Sequence, residues 1–277
     1  MKALIVTADD FGAAREVNDA VERCHRDGIL TAASLMVSAP AAADAVARAK
    51  TLPRLRVGLH VVLVEGRPTL PAHAVPDLVD ASGNFRAEMA SSAAKMFFVP
   101  RVRRQLEVEV AAQFDAFRAT GLDLDHVNTH KHFHLHPTIA GTILKVGRTY
   151  GLRAMRVPLE PRDVLARVEP GTRLPPAWTT APWARLARAR LRAAGLRVPD
   201  QVFGLAWTGA MTPSRVLGLI ENLPEGLSEL YLHPATGAYP GSAPGYRYAE
   251  EAAALLAPRV VEAFRNAAIA KGGFADF

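Results

Sequence analysis

The chain of 277 residues has a single cysteine, Cys24, and no long apolar run. One cysteine excludes an internal disulfide framework, which suits a reducing compartment. No window approaches the roughly 20 consecutive apolar residues that a membrane-spanning helix requires. The apolar run at the N-terminus is short and soon becomes acidic, unlike a signal peptide. We therefore predict a cytoplasmic protein.

Aromatic residues make up 7% of the chain, and the sequence has neither a fixed-period repeat nor a zinc-finger spacing of cysteines and histidines. The net charge of +6 comes largely from arginine. Because no aromatic-rich basic surface accompanies this charge, we do not expect a nucleic-acid partner.

Acidic residues are absent from Pro170 through Pro199. Within this stretch, the basic segment from Trp178 to Arg197 has the spacing of an amphipathic helix with tryptophan at its edge. This composition is typical of a helix that lies in an anionic lipid interface. A solvated arginine face that packs on the rest of the protein is the alternative. The arginines in question share one helical face: Arg185, Arg188 and Arg192.

Short apolar runs with β-branched residues alternate with helical patterns, and the apolar fraction of 49% is enough for a large core. Such alternation predicts an α/β fold, a TIM-like (β/α) barrel with about seven parallel strands. One domain is expected over residues 1–277. It carries a proline-broken insertion on one rim around 65–100 and the basic amphipathic insertion around 160–200. The last elements predicted are a helix over 247–270 and a strand over 273–277.

Histidine is concentrated in one stretch, because positions 126 to 136 hold five of the nine histidines. Two acids, Asp9 and Asp10, follow the first predicted strand; His60 lies in the third and His130 at the end of the fourth. Barrel enzymes keep their active sites at the C-terminal ends of the strands. Asp10, His60 and His130 therefore form a candidate metal site, whose ligands suit zinc and also iron, cobalt or nickel.

Each of these residues also has a plainer interpretation. His60 alone is compatible with a buried histidine that binds nothing, and the two acids are compatible with a cap on the helix that starts near Ala13. Adjacent acids directly after a buried strand are unfavourable unless they are paired or bind a metal. The convergence of three strand ends favours the metal site.

Four short motifs occur in order along nearly the whole chain. They are Thr7-Ala8-Asp9-Asp10-Phe11-Gly12, Gly58-Leu59-His60, the run from His126 to His134, and Leu232-His233-Pro234. In this combination the chain resembles the YdjC/ChbG family of carbohydrate deacetylases, and within it the hopanoid biosynthesis-associated HpnK subgroup. The family run often has three consecutive histidines where this chain has His130-Lys131-His132, so no role is assigned to Lys131.

The resemblance implies a barrel of the glycoside hydrolase/deacetylase type that hydrolyses the N-acetyl group of an acetylated amino sugar. It implies one divalent metal on Asp10, His60 and His130, with zinc favoured and magnesium, cobalt, nickel or iron as alternatives. Asp9 matches the family's general base, and His233 is the expected general acid. A homodimer is expected by analogy with the family.

Three further residues are predicted to bind the substrate. His132 and His134, two residues apart in an extended chain, would point to the same side, and at least one is expected to line the pocket. Alternatively, these histidines do not line the pocket and instead hold the site residues in position through hydrogen bonds. Arg156 is expected either to touch the sugar or to fix the Asp9 carboxylate, and a surface arginine is its plainer interpretation.

The predicted substrate is the N-acetylglucosaminyl group of a glycosylated hopanoid, with the basic segment touching lipid at the inner face of the cytoplasmic membrane. Rival enzymes are a chitooligosaccharide deacetylase, a metal-dependent phosphoesterase and a non-haem iron oxygenase, which also uses two histidines and a carboxylate. A non-catalytic lipid- or sugar-binding protein is the alternative from a different class.

Overall fold

A computed structural model describes residues 1–172 and 177–277, and for residues 177–180 it describes the backbone alone. The strands within these ranges are β1 Lys2–Phe11, β2 Ala32–Leu35, β3 Arg56–Val61, β4 Val127–Thr129, β5 Gln201–Phe203, β6 Gly226–Leu232 and β7 Ala270–Lys271. The helices are α1 Arg15–Asp27, α2 Ala42–Ala49, α3 Met89–Phe98, α4 Pro100–Ala119, α5 Pro137–Gly147, α6 Arg162–Val168, α7 Ala177–Ala193, α8 Pro213–Glu221, α9 Tyr248–Leu256 and α10 Pro258–Asn266.

The strands form one parallel sheet in the order β4-β3-β2-β1-β6-β5, and β7 pairs with the first residues of β1. An irregular segment connects the outer strands. The Val127 N–H of β4 donates to Ala154 at 3.0 Å, and the Val202 N–H of β5 donates to Leu159 at 2.8 Å. The predicted TIM-like α/β class is confirmed as a parallel half-barrel, in which residues 154–159 bridge β4 and β5.

Strand β1 lies at the centre of the sheet. It pairs with β2 on one side and with β6 on the other, so Leu4, Ile5 and Val6 are almost fully buried. A strand covered on both faces has a continuous apolar sequence rather than an alternating one. Each such side chain contributes about 1.5–3 kcal/mol by burial. The polar residues at the end of β1 therefore follow a strand that is buried and paired on both sides.

The C-terminal region differs from the prediction. The single helix expected over 247–270 is two helices, because Pro258 has no N–H to continue α9 and instead begins α10. The strand expected over 273–277 is wrong: β7 lies earlier, and Phe274–Asp276 forms a 3-10 turn. The N–H groups of Phe274 and Ala275 donate to the Asp125 carboxylate at 3.1 and 2.8 Å, which holds this turn against the sheet.

Residues 65–100 contain α3 and are fixed to α4 by a buried carboxylate. Glu109 accepts hydrogen bonds from the N–H groups of Thr69 and Leu70 at 2.8 and 3.1 Å. A buried carboxylate held by main-chain donors ties a loop firmly to a helix.

The basic segment forms most of α7, and the Trp178 side chain lies outside the described residues. Ala184 and Leu191 are buried, whereas Trp183 is 53% exposed. Arg188 donates to the Asp200 carbonyl at 2.8 Å, and Arg192 pairs with the Asp200 carboxylate at 2.7 Å. Two of its arginines are thus engaged within the chain. No helix in the described ranges is both long and apolar enough to cross a lipid bilayer.

Candidate active site

A bulge at the end of β1 lets two adjacent acids face the same cleft. The pairing of β1 with β2 shifts register between Ala8 and Phe11, and Asp10 has a left-handed backbone with φ of 62°. Such a conformation costs a non-glycine residue on the order of 1 kcal/mol. The N-cap of α1 is Ala14, which excludes the plainer interpretation of the acids as a helix cap. Asp9 and Asp10 both line the cleft.

Asp10, His60 and His130 lie together, as the sequence predicted for a metal site. One carboxylate oxygen of Asp10, Oδ1, is 3.3 Å from His60 Nε2 and 3.3 Å from His130 Nδ1. The three candidate ligand atoms lie within 4.8 Å of one another. Asp10 and His60 are buried, and the His130 side chain is 20% exposed. A single ion between these atoms would contact all of them.

The protonation pattern of His60 fits a metal ligand. Asn128 Nδ2 donates to Asp9 and to Ser34, so its Oδ1 accepts, and His60 Nδ1 is the donor at 2.6 Å. A neutral His60 therefore turns the lone pair of Nε2 towards Asp10. His60 Nε2 and Asp10 Oδ1 are buried without a hydrogen-bond partner in the described structure. A cation between two such acceptors would satisfy both, and these residues fit a divalent metal.

Burial and charge act on these two residues in opposite directions. Burial lowers the pKa of His60, but the Asp9 and Asp10 carboxylates outweigh it, and the pKa lies above its ordinary value. Burial raises the pKa of Asp10, but His130 and His60 hold it well below the usual range. Asp10 is therefore a carboxylate at neutral pH, which is the form that binds a metal.

Asp9 belongs to a buried charge cluster beside the metal ligands. The Arg156 guanidinium donates to both Asp9 oxygens, at 2.5 and 2.9 Å, and to Glu229 Oε1 at 2.6 and 3.0 Å. Thr7 donates to the same Glu229 oxygen at 2.8 Å. Burial raises the pKa of Asp9, but Arg156 outweighs it and holds that pKa well below the usual range.

These contacts leave negative charge at the site. The buried carboxylates of Asp9 and Glu229 share one guanidinium, and a third buried carboxylate, that of Asp10, lies beside His60 and His130. With all three ionised the group carries two excess negative charges, which a divalent ion would balance. Uncompensated charge is costly in a buried environment, so this ratio is a second sign that the residues fit a metal.

The histidine run does not continue β4 as an extended chain. Residues His130–Leu135 form a 3-10 turn that is interrupted where Lys131 and His132 take left-handed φ values of 55° and 52°. The assumption of an extended chain was therefore wrong, and the side chains separate. His132 lines the cleft and contacts Tyr231 Oη through Nε2 at 3.0 Å. Lys131 forms an ion pair with Glu65 at the cleft.

His134 and Arg156 lie behind the cleft rather than on its wall. Both are 0% exposed, and His134 Nδ1 contacts Thr129 Oγ1 at 2.7 Å. Burial lowers the pKa of His134 to about 3, with Arg156 adding to the effect. Neither side chain is placed to touch a substrate in the cleft. Of the two histidines predicted to line the pocket, His132 does so, and of the two roles considered for Arg156, it fixes Asp9.

His233 lies just beyond the end of β6, the neighbour of β1, and lines the same cleft. Its main-chain N–H donates to Glu251 Oε2 at 2.6 Å, and its ring Nδ1 is 4.0 Å from the same oxygen. Burial raises the pKa of Glu251. At 4.0 Å the ring is not hydrogen-bonded to Glu251, so Glu251 holds the main chain of His233. The cleft has a volume of about 390 Å³, and tyrosines contribute to its wall: Tyr231, Tyr239, Tyr246 and Tyr248.

The sequence profile of a family described as YdjC-like protein matches residues 3–266 of this chain. This chain belongs to the YdjC-like family. A carbohydrate deacetylase of Geobacillus stearothermophilus is 31% identical, with 93% of this chain and 90% of the relative aligned. A carbohydrate deacetylase of Brevibacillus brevis is 40% identical over 53% of this chain, and the match spans little more than half of that relative, 56% of its length.

A solved structure supports the fold of the family. An Enterococcus faecalis V583 protein assigned to cellobiose-phosphate cleavage superposes with a TM-score of 0.76, at 24% identity, over 99% of this chain and 98% of its own. At this identity the likeness establishes a common fold. Within that fold, the family motifs of the present chain are the segments that meet at the cleft.

Three residues of the site were missed by sequence reasoning: Asn128, Glu229 and Glu251. The first two share one recognisable signal, which is polar residues at every second position of a strand. Asn128 lies two residues from His130, and Glu229 lies four residues before His233. Alternate residues of a strand face the same side, so both point where the site residues point. Glu251 lies within α9, and nothing in its local sequence indicates a partner.

Proposed function

We propose that this protein is a metal-dependent N-deacetylase that hydrolyses the N-acetyl group of an acetylated amino sugar. The observation that carries the proposal is the presence, in one cleft, of the ligand set Asp10, His60 and His130 together with Asp9 and His233. Relatives named carbohydrate deacetylases, one of them aligned over 93% of this chain, support the same activity.

Asp10, His60 and His130 would hold the metal, and zinc is favoured because one carboxylate and two imidazoles suit it. Magnesium, cobalt, nickel and iron stay as alternatives. When bound, the ion supplies Lewis acidity, which polarises an amide carbonyl and makes a water molecule more acidic. Asn128 keeps His60 in the tautomer that presents Nε2 to the ion.

Asp9 and His233 would move the protons. Asp9 is ionised at neutral pH because Arg156 holds its pKa low, and it accepts the proton of the attacking water. Hydrogen bonds from Arg156 and Asn128 fix its orientation. His233, whose main-chain N–H donates to Glu251, donates a proton from its ring to the departing amine. The amide C–N bond breaks, a C–O bond to the water oxygen forms, and acetate and a free amino sugar leave.

His132 is suited to hold the sugar as a neutral group. Burial, with Arg156 next in importance, keeps its pKa well below the usual value, so the ring can accept as well as donate a hydrogen bond. The tyrosines of the cleft wall offer faces for a sugar ring. His134 and Arg156 would act on the reaction through Thr129 and Asp9 as positioning residues.

For the substrate we propose the N-acetylglucosaminyl group of a glycosylated hopanoid or a similar lipid. Support comes from α7, where Trp183 is 53% and Leu186 is 40% exposed beside an apolar groove shared with α5. Arg185 and Arg190 are exposed on the same helix. This composition suits peripheral contact with an anionic membrane. The homodimer expected from the family stays a prediction.

Mass spectrometry of candidate substrates tests the activity. Purified protein loaded with defined metals is incubated with N-acetylglucosaminyl lipids and with chitooligosaccharides. Loss of an acetyl mass from the lipids supports the full proposal. Loss from chitooligosaccharides alone keeps the deacetylase and rejects the lipid substrate. No acetyl loss from either class, with metal bound, would overturn the proposed reaction.

Liposome binding tests the membrane contact separately. The double variant Arg185→Glu and Arg190→Glu reverses two exposed charges on α7, and it should weaken binding to anionic vesicles and lower activity on lipid-borne substrate. Arg167→Glu, on the exposed part of α6, is the matched control. Equal vesicle binding by all three proteins would leave α7 with a structural role only.

A further inference from the structure

A second hollow adjoins the candidate metal ligands. It has a volume of about 230 Å³, and Asp10 and His130 line both this hollow and the cleft. Glu65 and Tyr239 lie at the boundary between them. Among the described residues, Asp9 and His233 line the cleft but not the second hollow. The metal site therefore has the proposed proton-transfer groups on one side and this hollow on another.

The wall of the second hollow is largely apolar. Ala13, Met36 and Val62 form its inner part, and Met36 and Val62 are each 8% exposed. The Ser38 hydroxyl, which also lines it, is engaged with Thr69 Oγ1 at 2.5 Å. The charged groups Glu65 and Arg67 are exposed at the mouth. Such a wall favours an alkyl group over a hydroxyl-bearing one.

The direction of the amide bond relates this hollow to the substrate. In the proposed reaction the amine leaves towards His233, so the sugar lies in the cleft. The acyl group is attached to the other side of the carbonyl carbon, and it points away from His233. The hollow that shares Asp10 and His130 with the cleft is placed to receive it.

We propose that the second hollow is an acyl subsite and that the enzyme removes N-acyl chains longer than acetyl, such as butyryl. This inference rests on the proposed amide hydrolysis. Water attacks the carbonyl carbon, the C–N bond breaks, the amine takes a proton, and the acyl group leaves as a fatty carboxylate. A methyl group alone fills a small part of the hollow, whereas a longer chain buries its methylenes against Met36 and Val62.

A second sugar ring is the other conceivable occupant, and the wall argues against it. Sugar subsites present hydrogen-bonding and aromatic side chains to hydroxyl groups and ring faces. The cleft supplies these through Thr208, Ser242 and Tyr246, which do not line the second hollow in the described structure. The hollow takes Tyr239 from the shared boundary and is otherwise built mainly from alkyl groups and main chain.

The test is a chain-length series on the metal-loaded enzyme. kcat/KM is measured for N-acetyl, N-propionyl and N-butyryl forms of one glucosaminide. Wild type should accept all three, with an increase of up to about fourfold for each methylene that becomes buried. Ala39→Phe places a ring in the half-buried wall of the hollow, and it should lower the butyryl-to-acetyl ratio at least tenfold. Met36→Gln, nearly equal in volume, should lower the same ratio severalfold.

Ala43→Phe is the matched control, because it adds the same ring on the exposed face of α2, outside the hollow. Its butyryl-to-acetyl ratio should equal that of wild type. Release of no carboxylic acid from any substrate defeats the proposed function itself. Release of acetate with butyryl rejected a hundredfold, or equal losses for all chain lengths in Ala39→Phe, overturns the acyl subsite alone. A variant that changes only the preference for chitooligosaccharides over monosaccharides identifies a sugar subsite and also overturns it.

Discussion

Asp9 and Asp10 are neighbours in sequence, yet the two sides of the site to which they belong differ in how their polar atoms are satisfied. On the side of Asp9, Arg156 and Glu229, the guanidinium side, both oxygens of Asp9 accept hydrogen bonds from Arg156. On the side of Asp10, His60 and His130, the imidazole side, Asp10 Oδ1 and His60 Nε2 are buried without a hydrogen-bond partner in the described structure. The polar atoms of one side are satisfied within the protein, and the other side presents two acceptors that a cation would satisfy.

Two buried histidines show the same contrast in their proton affinity. Carboxylates raise the pKa of His60 above its ordinary value despite burial. Burial and Arg156 lower the pKa of His134 to about 3. The imidazole side thus attracts positive charge, and the guanidinium side excludes it. The proposed metal-dependent hydrolysis would use both properties at once, because a metal would bind on one side while the adjacent carboxylate keeps its orientation.

Asp10→Asn should have the largest effect on activity. It removes the anionic ligand with little change in shape, and asparagine tolerates the left-handed backbone at this position. We expect zinc affinity to fall more than about 100-fold and kcat/KM to fall on the order of 1000-fold. Calorimetric metal titration and acetate release measure the two quantities. A zinc affinity within threefold of wild type would remove Asp10 from the ligand set.

Asp9→Asn should separate catalysis from metal binding. The amide keeps an acceptor for Arg156 but cannot take a proton, so kcat should fall by about 10²–10⁴-fold while zinc remains bound. The same titration and product assay apply. A non-catalytic sugar- or lipid-binding protein would retain its ligand affinity and show no turnover in either form. Retention of most turnover by the variant would mean that another group accepts the proton.

Arg156→Met should act mainly on stability. It leaves Asp9 and Glu229 buried without their common partner, and breaking a buried ion pair in this way costs about 3–5 kcal/mol. Arg167→Met is the control, because its pair with Asp163 is exposed and should contribute less than about 1 kcal/mol. Urea unfolding gives both values. Equal losses in the two variants would contradict the distinction between the buried cluster and a surface pair.

Asn128 connects the two sides, because it donates to Asp9 and accepts from His60. Asn128→Leu should therefore affect both. The variant loses the partner that fixes the His60 tautomer, and zinc affinity should fall about 10–100-fold. Ser34→Ala is the milder comparison, since it removes a neighbour of Asn128 and leaves both site contacts. The assignment of Asn128 as a positioning residue fails if metal affinity is unchanged while kcat falls.

The sequence predicted the metal triad because its residues occur at strand ends, and parallel strands bring their C-terminal ends to one rim. It also indicated that Asp9 and Asp10 were more than a helix cap. It offered Arg156 as a partner of Asp9, but it did not predict Asn128 or Glu229, which shares Arg156 with Asp9. Glu229 lies 220 positions from Asp9, and the pairing of β1 with β6 brings it near. The side-chain directions of His132 and His134 were wrong because left-handed residues in the run cannot be identified from composition. The sequence pattern therefore does not determine which residues of distant strands pair, or where the backbone takes a left-handed conformation.

The smallest predicted effect is a difference in pH dependence between the two sides. A histidine whose pKa is lowered by folding stabilises the protein above its unfolded pKa, near 6.5, and this contribution is lost as the pH falls. The pKa of His134 in the folded protein is about 3. The free energy of unfolding of the metal-free protein should therefore fall by about 1.4 kcal/mol for each pH unit below pH 6.5. His60 should act in the opposite sense, since its raised pKa stabilises the folded state at low pH. His134→Asn, which retains a group near Thr129, should flatten the loss of unfolding free energy between pH 6.5 and 5 by about 2 kcal/mol. Urea titrations in the presence of a chelator measure it, and parallel curves for variant and wild type would show that burial and Arg156 do not hold His134 neutral in the folded protein.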